Sequence, residues 1–442
     1  MVLMAIIVLS IALVWSPASS ARTYQSRPLS AFVGPQPVLI NAFGCASVGN
    51  CIAIGAYDLS FGAVTVAATE SRGRWSPFTS LPGLSAVSPA MGSPSISCFG
   101  VDTCAVLMPW LTPHDTIETF VASETLGRWT PLTRLVHQGA SSVLGQGMWC
   151  SSQGDCVAIA TTPVSAVASR LLVATEHRGA WSAVRPVLPA VVVSGRAGTV
   201  QVSCSSVQHC LLSAVDPIPT TGNPLVTVAA EVGSSWRSLV ITTPGRGEFT
   251  VNSLSCLSGG TCLLGGGLIS GPGCPGSTSC RITPALATLK NGATATERPV
   301  SSVNFGAPNF KGVSQIVGVA CSGGGDCYLL DVASISATAR VTGVALLRWR
   351  RSTLSHVSFA EAQPELPACN TTASQCVVVV RHAGHSLFDM LSSGRVSSIT
   401  SLSHVGPQVS SCYSGGGCTI LVPEKNSSGE YPGGNYLEIV AS

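Results

Sequence analysis

The sequence predicts an all-β chain: a β-propeller of eight four-stranded blades, closed by pairing of its N- and C-terminal strands. Seven blades are the alternative, because the last two modules are short. Three observations carry this expectation. First, one module recurs: Cys45 and Cys51, Cys98 and Cys104, Cys150 and Cys156, Cys204 and Cys210, Cys256 and Cys262, Cys321 and Cys327, and Cys412 and Cys418 each enclose five residues, while Cys369 and Cys376 enclose six. Second, the first cysteines lie 53, 52, 54, 52, 65, 48 and 43 residues apart, a period that marks an array or a ring. Third, each module holds short strand-like runs separated by Gly, Ser and Asn, and no stretch beyond the N-terminal segment sustains helical periodicity. A four-stranded sheet buries little by itself, whereas a ring lets each blade cover its neighbour's face.

Within a module the first run ends at the first cysteine, as in Ser95-Ile96-Ser97-Cys98 and Val319-Ala320-Cys321. Small polar residues turn the chain, and the second cysteine opens an apolar run such as Cys51-Ile52-Ala53-Ile54 or Cys376-Val377-Val378-Val379. These two runs read as a hairpin. The third run ends in a recurring phrase: Val66-Ala67-Ala68-Thr69-Glu70, Val121-Ala122-Ser123-Glu124, Val173-Ala174-Thr175-Glu176 and Val228-Ala229-Ala230-Glu231. A glycine turn then leads to a tryptophan that starts the fourth run, at Trp75, Trp129, Trp181 and Trp236. The eighth module lacks one strand, since only Tyr436 to Ala441 follows Cys418-Thr419-Ile420-Leu421-Val422. The unassigned stretch Leu29-Ser30-Ala31-Phe32-Val33 is expected to fill the place and remove the exposed edges of an open array.

Composition narrows the class. Of 442 residues only 10% are charged, and the net charge is +3. That excludes disorder driven by charge and a large basic nucleic-acid surface. Met1 to Trp15 is almost wholly apolar and gives way to Ser16-Pro17-Ala18-Ser19-Ser20-Ala21 before Arg22. Residues 1–21 are therefore read as a secretory signal peptide and 22–442 as one propeller domain of eight repeats, secreted or otherwise extracytoplasmic. At about 14 residues the apolar run is short for a spanning helix, which needs roughly 20. An uncleaved anchor is the alternative, because no Lys or Arg precedes the run. The cations comprise 20 Arg and 3 Lys, a bias of GC-rich bacterial genomes.

In an exported chain the paired cysteines read as disulfides. Cross-strand neighbours lie roughly 4.5 to 5.5 Å apart at Cα, within disulfide reach, so each pair closes its own hairpin. A closed loop of about seven residues stabilises by roughly 2.4 kcal/mol in the chain-entropy account. Such staples are local and are expected to pin turns rather than link blades. A ninth pair, Cys274 and Cys280, clips a Gly/Pro/Ser insertion at about 265–285. Metal binding fits poorly, because zinc knuckles space their cysteines two to four residues apart. Cys-x-x-Cys is absent, and no metal or cofactor is expected.

The phrase Thr69-Glu70-Ser71-Arg72-Gly73-Arg74-Trp75 resembles a degenerate Asp-box turn of sialidase-type (BNR) propellers, Ser/Thr-x-Asp-x-Gly-x-x-Trp. Thr69 and Gly73 keep the interval, the acid follows Thr69 directly, and Trp75 comes one residue early. The whole module more closely resembles secreted actinobacterial propeller repeats with BNR-like or photosystem-assembly-factor-like folds. That resemblance implies a fold that hosts many functions.

A sialidase-like activity would need an arginine triad, a Tyr/Glu nucleophile pair and an acid. Glu297-Arg298-Pro299-Val300 is only a distant echo of the arginine motif, and no carboxylate pair stands out among 20 acidic residues. Glu70, Glu124, Glu176 and Glu231 are read as turn residues beside adjacent arginines. His382 and His385 flank Ala383-Gly384, and His114-Asp115 follows Trp110; either could bind a metal, but solvated loop histidines are the plainer reading. Trp110, His114 and Trp149, off the repeat's tryptophan position, are the candidate ligand contacts, with packing under a loop as the competing role. The resulting expectation is a secreted, non-catalytic propeller, monomeric, that binds a protein or glycan at the cell surface. Nucleic acid and stable membrane insertion after signal cleavage are excluded. The alternative is a divergent glycan-active enzyme, a sialidase-like glycoside hydrolase. An arginine cluster facing carboxylates on the central face would mark the enzyme, and a channel of Ser, Thr and Gly would argue against it.

Overall fold

The computed structural model describes residues 24–441 except 34–35, 60–61, 82–93, 100–102, 113–115, 137–141, 152–153, 166–167, 178, 189–191, 195–199, 207, 216–225, 233–234, 240–247, 272–280, 291–295, 300–312, 336–339, 360–361, 366, 370–374, 383–384, 393–394, 404–408, 414–416 and 424–434. Within them the chain is all-β, and eight antiparallel sheets form the eight blades. The first blade shows the pattern: Leu39–Ser47, Asn50–Leu59, Gly62–Ser71 and Arg74–Trp75 pair in chain order. The next blades begin at Ser95–Phe99, Leu144–Cys150, Val200–Ser206, Glu248–Cys256 and Val313–Cys321. In the seventh, the first strand is split into Gln363–Pro364 and Ala368–Cys369, both paired with Gln375–His382. Its brevity reflects a broken inner strand, so the short modules still make full blades and the count is eight.

The eighth blade runs Val409–Cys412, Cys418–Pro423 and Asn435–Ala441, and its fourth strand is Tyr24–Ser30 from the N-terminal end of the domain. Ring closure is therefore as expected, but the closing strand begins earlier than Leu29. Tyr24 pairs with Ala441 and Leu29 with Tyr436, while Phe32–Val33 folds back on Gln36–Pro37. Tyr24-Gln25-Ser26-Arg27-Pro28 is polar and contains a proline, which hides a strand from hydrophobic periodicity. An outermost strand tolerates both, because one of its edges needs no ladder partner.

First strands lie side by side around the axis, and Val409–Cys412 meets Leu39–Ser47 to complete the circle. The hydrophobic core is correspondingly segmented into eight clusters, one at each seam between consecutive blades. Second strands are buried on both faces, which explains their unbroken apolar runs. Ile52 and Ile54 pack toward the second blade, whereas Cys51 and Ala53 pack toward the eighth. Third and fourth strands are joined in the first blade by the two-residue turn Arg72-Gly73, with φ of 52° and 76°. Two positive φ values in a two-residue loop are the primed hairpin geometry that matches strand twist.

Candidate functional site

Eight of the nine cysteine pairs are disulfides in the described residues, each within its own blade and each with the partner expected from the spacing. Cys45 is bonded to Cys51, Cys98 to Cys104, Cys150 to Cys156 and Cys204 to Cys210. Cys256 is bonded to Cys262, Cys321 to Cys327, Cys369 to Cys376 and Cys412 to Cys418. Cα atoms within a pair lie 3.9–4.0 Å apart, closer than the cross-strand separation assumed from the sequence. The second cysteines Cys104, Cys156, Cys210 and Cys262 open the second strands and are buried at 0–6% exposure, so they are core residues of the blade seams rather than parts of a ligand site. Cys274 and Cys280 lie outside the described residues.

The bridges are local, as the spacing implies, and the hairpins they close also meet the preceding blade. The N–H groups of Cys45, Cys150, Cys256 and Cys321 donate to Oγ of Ser411, Ser97, Ser203 and Ser255, at 2.9–3.1 Å. Each acceptor is the residue before the first cysteine of the preceding blade. Disulfide sulfurs touch carbonyl oxygens across the same joints: Cys256 Sγ lies 3.3 Å from Ser203 O, and Cys412 Sγ 3.1 Å from Ala368 O. A disulfide sulfur carries no hydrogen, so these are packing contacts. Stapled hairpins thus also act as joints between blades.

At this end of the axis the inner strands of blades three to six, with Cys369 of blade seven, line an open cavity of about 500 Å³. Seven of its eighteen described lining residues are serines, Ser151, Ser203, Ser205, Ser206, Ser255, Ser258 and Ser322, with half-cystines and small apolar residues between them. Trp149 supplies the one aromatic ring and Asp155 the one carboxylate. Asp155 Oδ1 lies 2.6 Å from Nδ1 of His177, an exposed side chain on the neighbouring strand. Among the described residues no arginine lines the cavity. Elsewhere in the channel, amides bridge the blades. Gln201 Nε2 donates to Asn252 O and its Oε1 accepts from Leu254 N, both at 3.0 Å. Asn252 Nδ2 in turn donates to Ile316 O at 3.0 Å. Asn252 sits at an irregularity in the strand pairing, where a backbone carbonyl or N–H needs a partner from outside the ladder.

Three of the repeat glutamates meet the preceding blade rather than an adjacent arginine, which corrects the sequence expectation, whereas Glu124 keeps the expected turn role. Glu70, Glu124, Glu176 and Glu231 are 3–5% exposed. Three of them meet the preceding blade: Glu70 meets Arg27 at 3.3 Å, Glu231 meets Arg185 at 3.5 Å, and Glu176 accepts from Ser123 Oγ at 3.2 Å. Glu124 accepts from the N–H of Gly127 in its own turn. Burial pushes the Glu70 and Glu231 carboxyls up to about 7 and raises Glu176 as well. On blade six, Asp326 is fully buried and receives Arg348 at 2.9 Å and Arg350 at 3.3 Å. Asp331 is also buried and accepts from Ser314 Oγ at 2.9 Å, and burial lifts it to about 6.

Of the candidate ligand contacts, Trp149 lines the cavity and Trp110 is buried in the second strand of blade two. His114 lies outside the described residues. His382 and His385 face each other across a hairpin turn and are exposed. Among the described residues no group of three or more His, Cys, Asp or Glu side chains converges as a metal site requires. Sequence reasoning missed Gln201, Asn252, Asp326 and Glu438. The recurring Ser-Cys pair, present in four of eight modules, was the available signal for the joints.

The fold and this cavity define a disulfide-stapled, eight-bladed propeller with an axial site at its stapled end. No protein-family model matches the sequence, and no curated protein matches it. Among solved structures it is similar to the polysaccharide lyase Uly1, at 10% identity and a TM-score of 0.50, over 93% of this chain and 91% of that one. A Hadza microbial sialidase, Hz136, aligns at 13% identity and 0.39, over 69% of this chain and 66% of the sialidase. A post-proline cleaving enzyme from Rickettsia typhi aligns at 9% and 0.46, over 89% of this chain and 58% of the enzyme. At such identities the likeness to Uly1 is one of fold. Eight disulfides accord with an oxidising, extracellular environment. Among the described residues no helix is long and apolar enough to cross a membrane.

Proposed function

We propose that this chain is a secreted, monomeric, non-catalytic binding propeller, released by cleavage near Ala21, that holds a neutral hydroxyl-rich ligand such as a terminal sugar of a surface glycan. The observation that carries the reading is the axial cavity, whose described lining has serine hydroxyls beside Trp149, no Lys or Arg, and Asp155, a carboxylate already engaged by His177. Its volume falls in the roughly 300–1,000 Å³ range of small-ligand sites. Hydroxyls both donate and accept, which suits a polyol, and an aromatic ring offers an apolar face to a sugar ring. An anionic sugar would enter without a positive partner and would lose hydration that nothing here replaces. Glycosidase chemistry needs a matched pair of carboxyl groups, whereas the described residues of the cavity wall supply one, Asp155.

The test is a glycan array with purified protein, beside chromogenic glycosides. Neutral glycans should be retained, Trp149→Ala should abolish retention, and no glycoside should turn over. Turnover of any glycoside above the level of a heat-inactivated sample would overturn the non-catalytic reading. Retention unaffected by Trp149→Ala would place the ligand elsewhere.

A further inference from the structure

The seam between the eighth and first blades differs from the other seams in chemistry as well as in connectivity. It is the joint closed by a strand from the opposite end of the domain, and it buries two carboxyl groups. Glu70, on the third strand of blade one, has a side chain with no exposure, and Glu438, on the third strand of blade eight, is also fully buried. Trp75 Nε1 donates to Glu438 Oε2 at 3.1 Å, so the first blade holds the eighth blade's carboxyl. Arg27 of the closing strand donates to Glu70 Oε1 at 3.3 Å and reaches Gly73 O at 3.5 Å. Gly73 has φ of 76°, and a Cβ there would lie 2.8 Å from Arg27 Nη1, so the turn is shaped to admit the guanidinium.

The charge count in this pocket does not balance. Among the described residues Arg27 is the cation of this pocket, paired with Glu70; Arg72 and Arg74 in the adjoining turn are exposed. Tyr413, from the first hairpin of blade eight, is buried beside both carboxyls, and burial together with Glu438 and Glu70 pushes its hydroxyl up to about 12. Tyr436, two residues before Glu438 on the same face of the strand, is engaged elsewhere in this seam: its hydroxyl accepts from Ile40 N at 2.9 Å and lies 3.4 Å from Val38 O. Glu70 Oε2 and Glu438 Oε1 are buried without a hydrogen-bond partner. Two ionised carboxylates beside one arginine would leave a net buried negative charge, and a proton on one of them removes it.

We propose that this seam is a pH-dependent latch: the Glu70–Glu438 pair holds the closing strand Tyr24–Ser30 in place while it carries a proton, and loosens it when both carboxyls are charged. Burial raises both groups, Glu70 to about 7, with the charge of Glu438 adding to the rise at Glu70 and Arg27 opposing it. The seam is therefore tightest below about pH 4.5, where carboxyls are protonated even when the strand is released. It weakens as pH rises toward and through 7. Seams holding one carboxyl, such as Glu231 with Arg185, lack the mutual repulsion.

Hydrogen exchange on the intact protein reads the latch directly, with protection factors corrected for the intrinsic pH dependence of exchange. Protection of Tyr24–Ser30 and of its partner Asn435–Ala441 should fall by at least about tenfold between about pH 5 and about pH 9. Glu438→Gln and Glu70→Gln should each flatten that fall, and Arg27→Met, which removes the charge that holds both carboxyls down, should extend it to higher pH. The strand Val226–Val232, across the molecule, should respond equally in wild type and in Glu438→Gln. If one glutamine variant does not fold, the other reads the same point. Unchanged wild-type protection over this range, or an equal fall in wild type and in the folded glutamine variant, overturns the latch.

Discussion

Replacing Glu231 by glutamine isolates what a single buried carboxyl does to a blade seam. Its side chain is 2% exposed, Arg185 stands 3.5 Å away at 46% exposure, and Oε2 has no partner. Burial, partly opposed by Arg185, lifts the group from 4.5 to about 7. A rise of that size corresponds to about 3 kcal/mol between the two protonation states. The sign follows from linkage: the folded carboxyl holds its proton more tightly than the unfolded one. Its contribution is thus fully present below about pH 4.5, falls as pH rises toward 7, and is flat above. Glutamine cannot ionise, so the variant should match wild type at about pH 4 and exceed it by up to about 3 kcal/mol at about pH 8. Urea unfolding followed by tryptophan fluorescence measures this, since Trp236 is the cross-strand partner of Glu231. A variant that is destabilised equally at both pH values would refute the argument, because the carboxylate would then be stabilising the seam in its charged form.

Two further substitutions probe joints and packing. Ser255→Ala removes the acceptor of the Cys321 N–H, and stranding a largely buried donor costs about 1–3 kcal/mol, visible as faster exchange of that amide while the Cys321–Cys327 bridge stays intact. Gly266→Ala should prevent blade five from forming, because the new Cβ would collide with the Thr250 carbonyl group of the adjacent strand; expression yield and near-ultraviolet circular dichroism report the loss, and a folded variant of wild-type stability would refute it.

Much of the ring was legible because a repeat states its rules many times. Cysteine spacing located the first hairpins, apolar second runs located strands buried on both faces, and the Gly-x-Trp phrase located the turn into the fourth strand. What failed to show were features written once. The closing strand carries Arg27 and Pro28, which suit an outermost strand and conceal it from any hydrophobic pattern. The glutamates recur, so their positions were plain, but their partners were not. Arg27 and Arg185 lie on the preceding blade, 43 and 46 residues away in sequence, and such pairs follow from ring geometry alone. Asn252 and Gln201 act at an irregular pairing that only the register reveals.

The place where one module departs from its siblings bears on what the cavity does. Before the first cysteine, four modules carry serine (Ser97, Ser203, Ser255 and Ser411), and each of those hydroxyls accepts the next blade's cysteine N–H. Three more carry the small residues Gly44, Ala320 and Ala368, and module three alone carries a large one, Trp149. An indole has no acceptor, so the joint between blades three and four forgoes the serine hydrogen bond. In exchange the ring stands in the wall of the axial cavity. The departure that sets module three apart is therefore size, a large aromatic where every other module has Ser, Gly or Ala, and it falls at the cavity wall, where a binding role would use it. Trp149→Ser should separate that role from a packing one. Installing the hydroxyl offers Cys204 N–H the partner its counterparts have, worth about 0.5–1.5 kcal/mol, set against loss of the indole's packing on the seam cluster around Val187 and Val200. Exchange of the Cys204 amide should slow even if global stability changes little, and neutral-glycan retention should be lost. If exchange at Cys204 is unchanged and retention persists, Trp149 is a packing residue and the cavity needs another explanation.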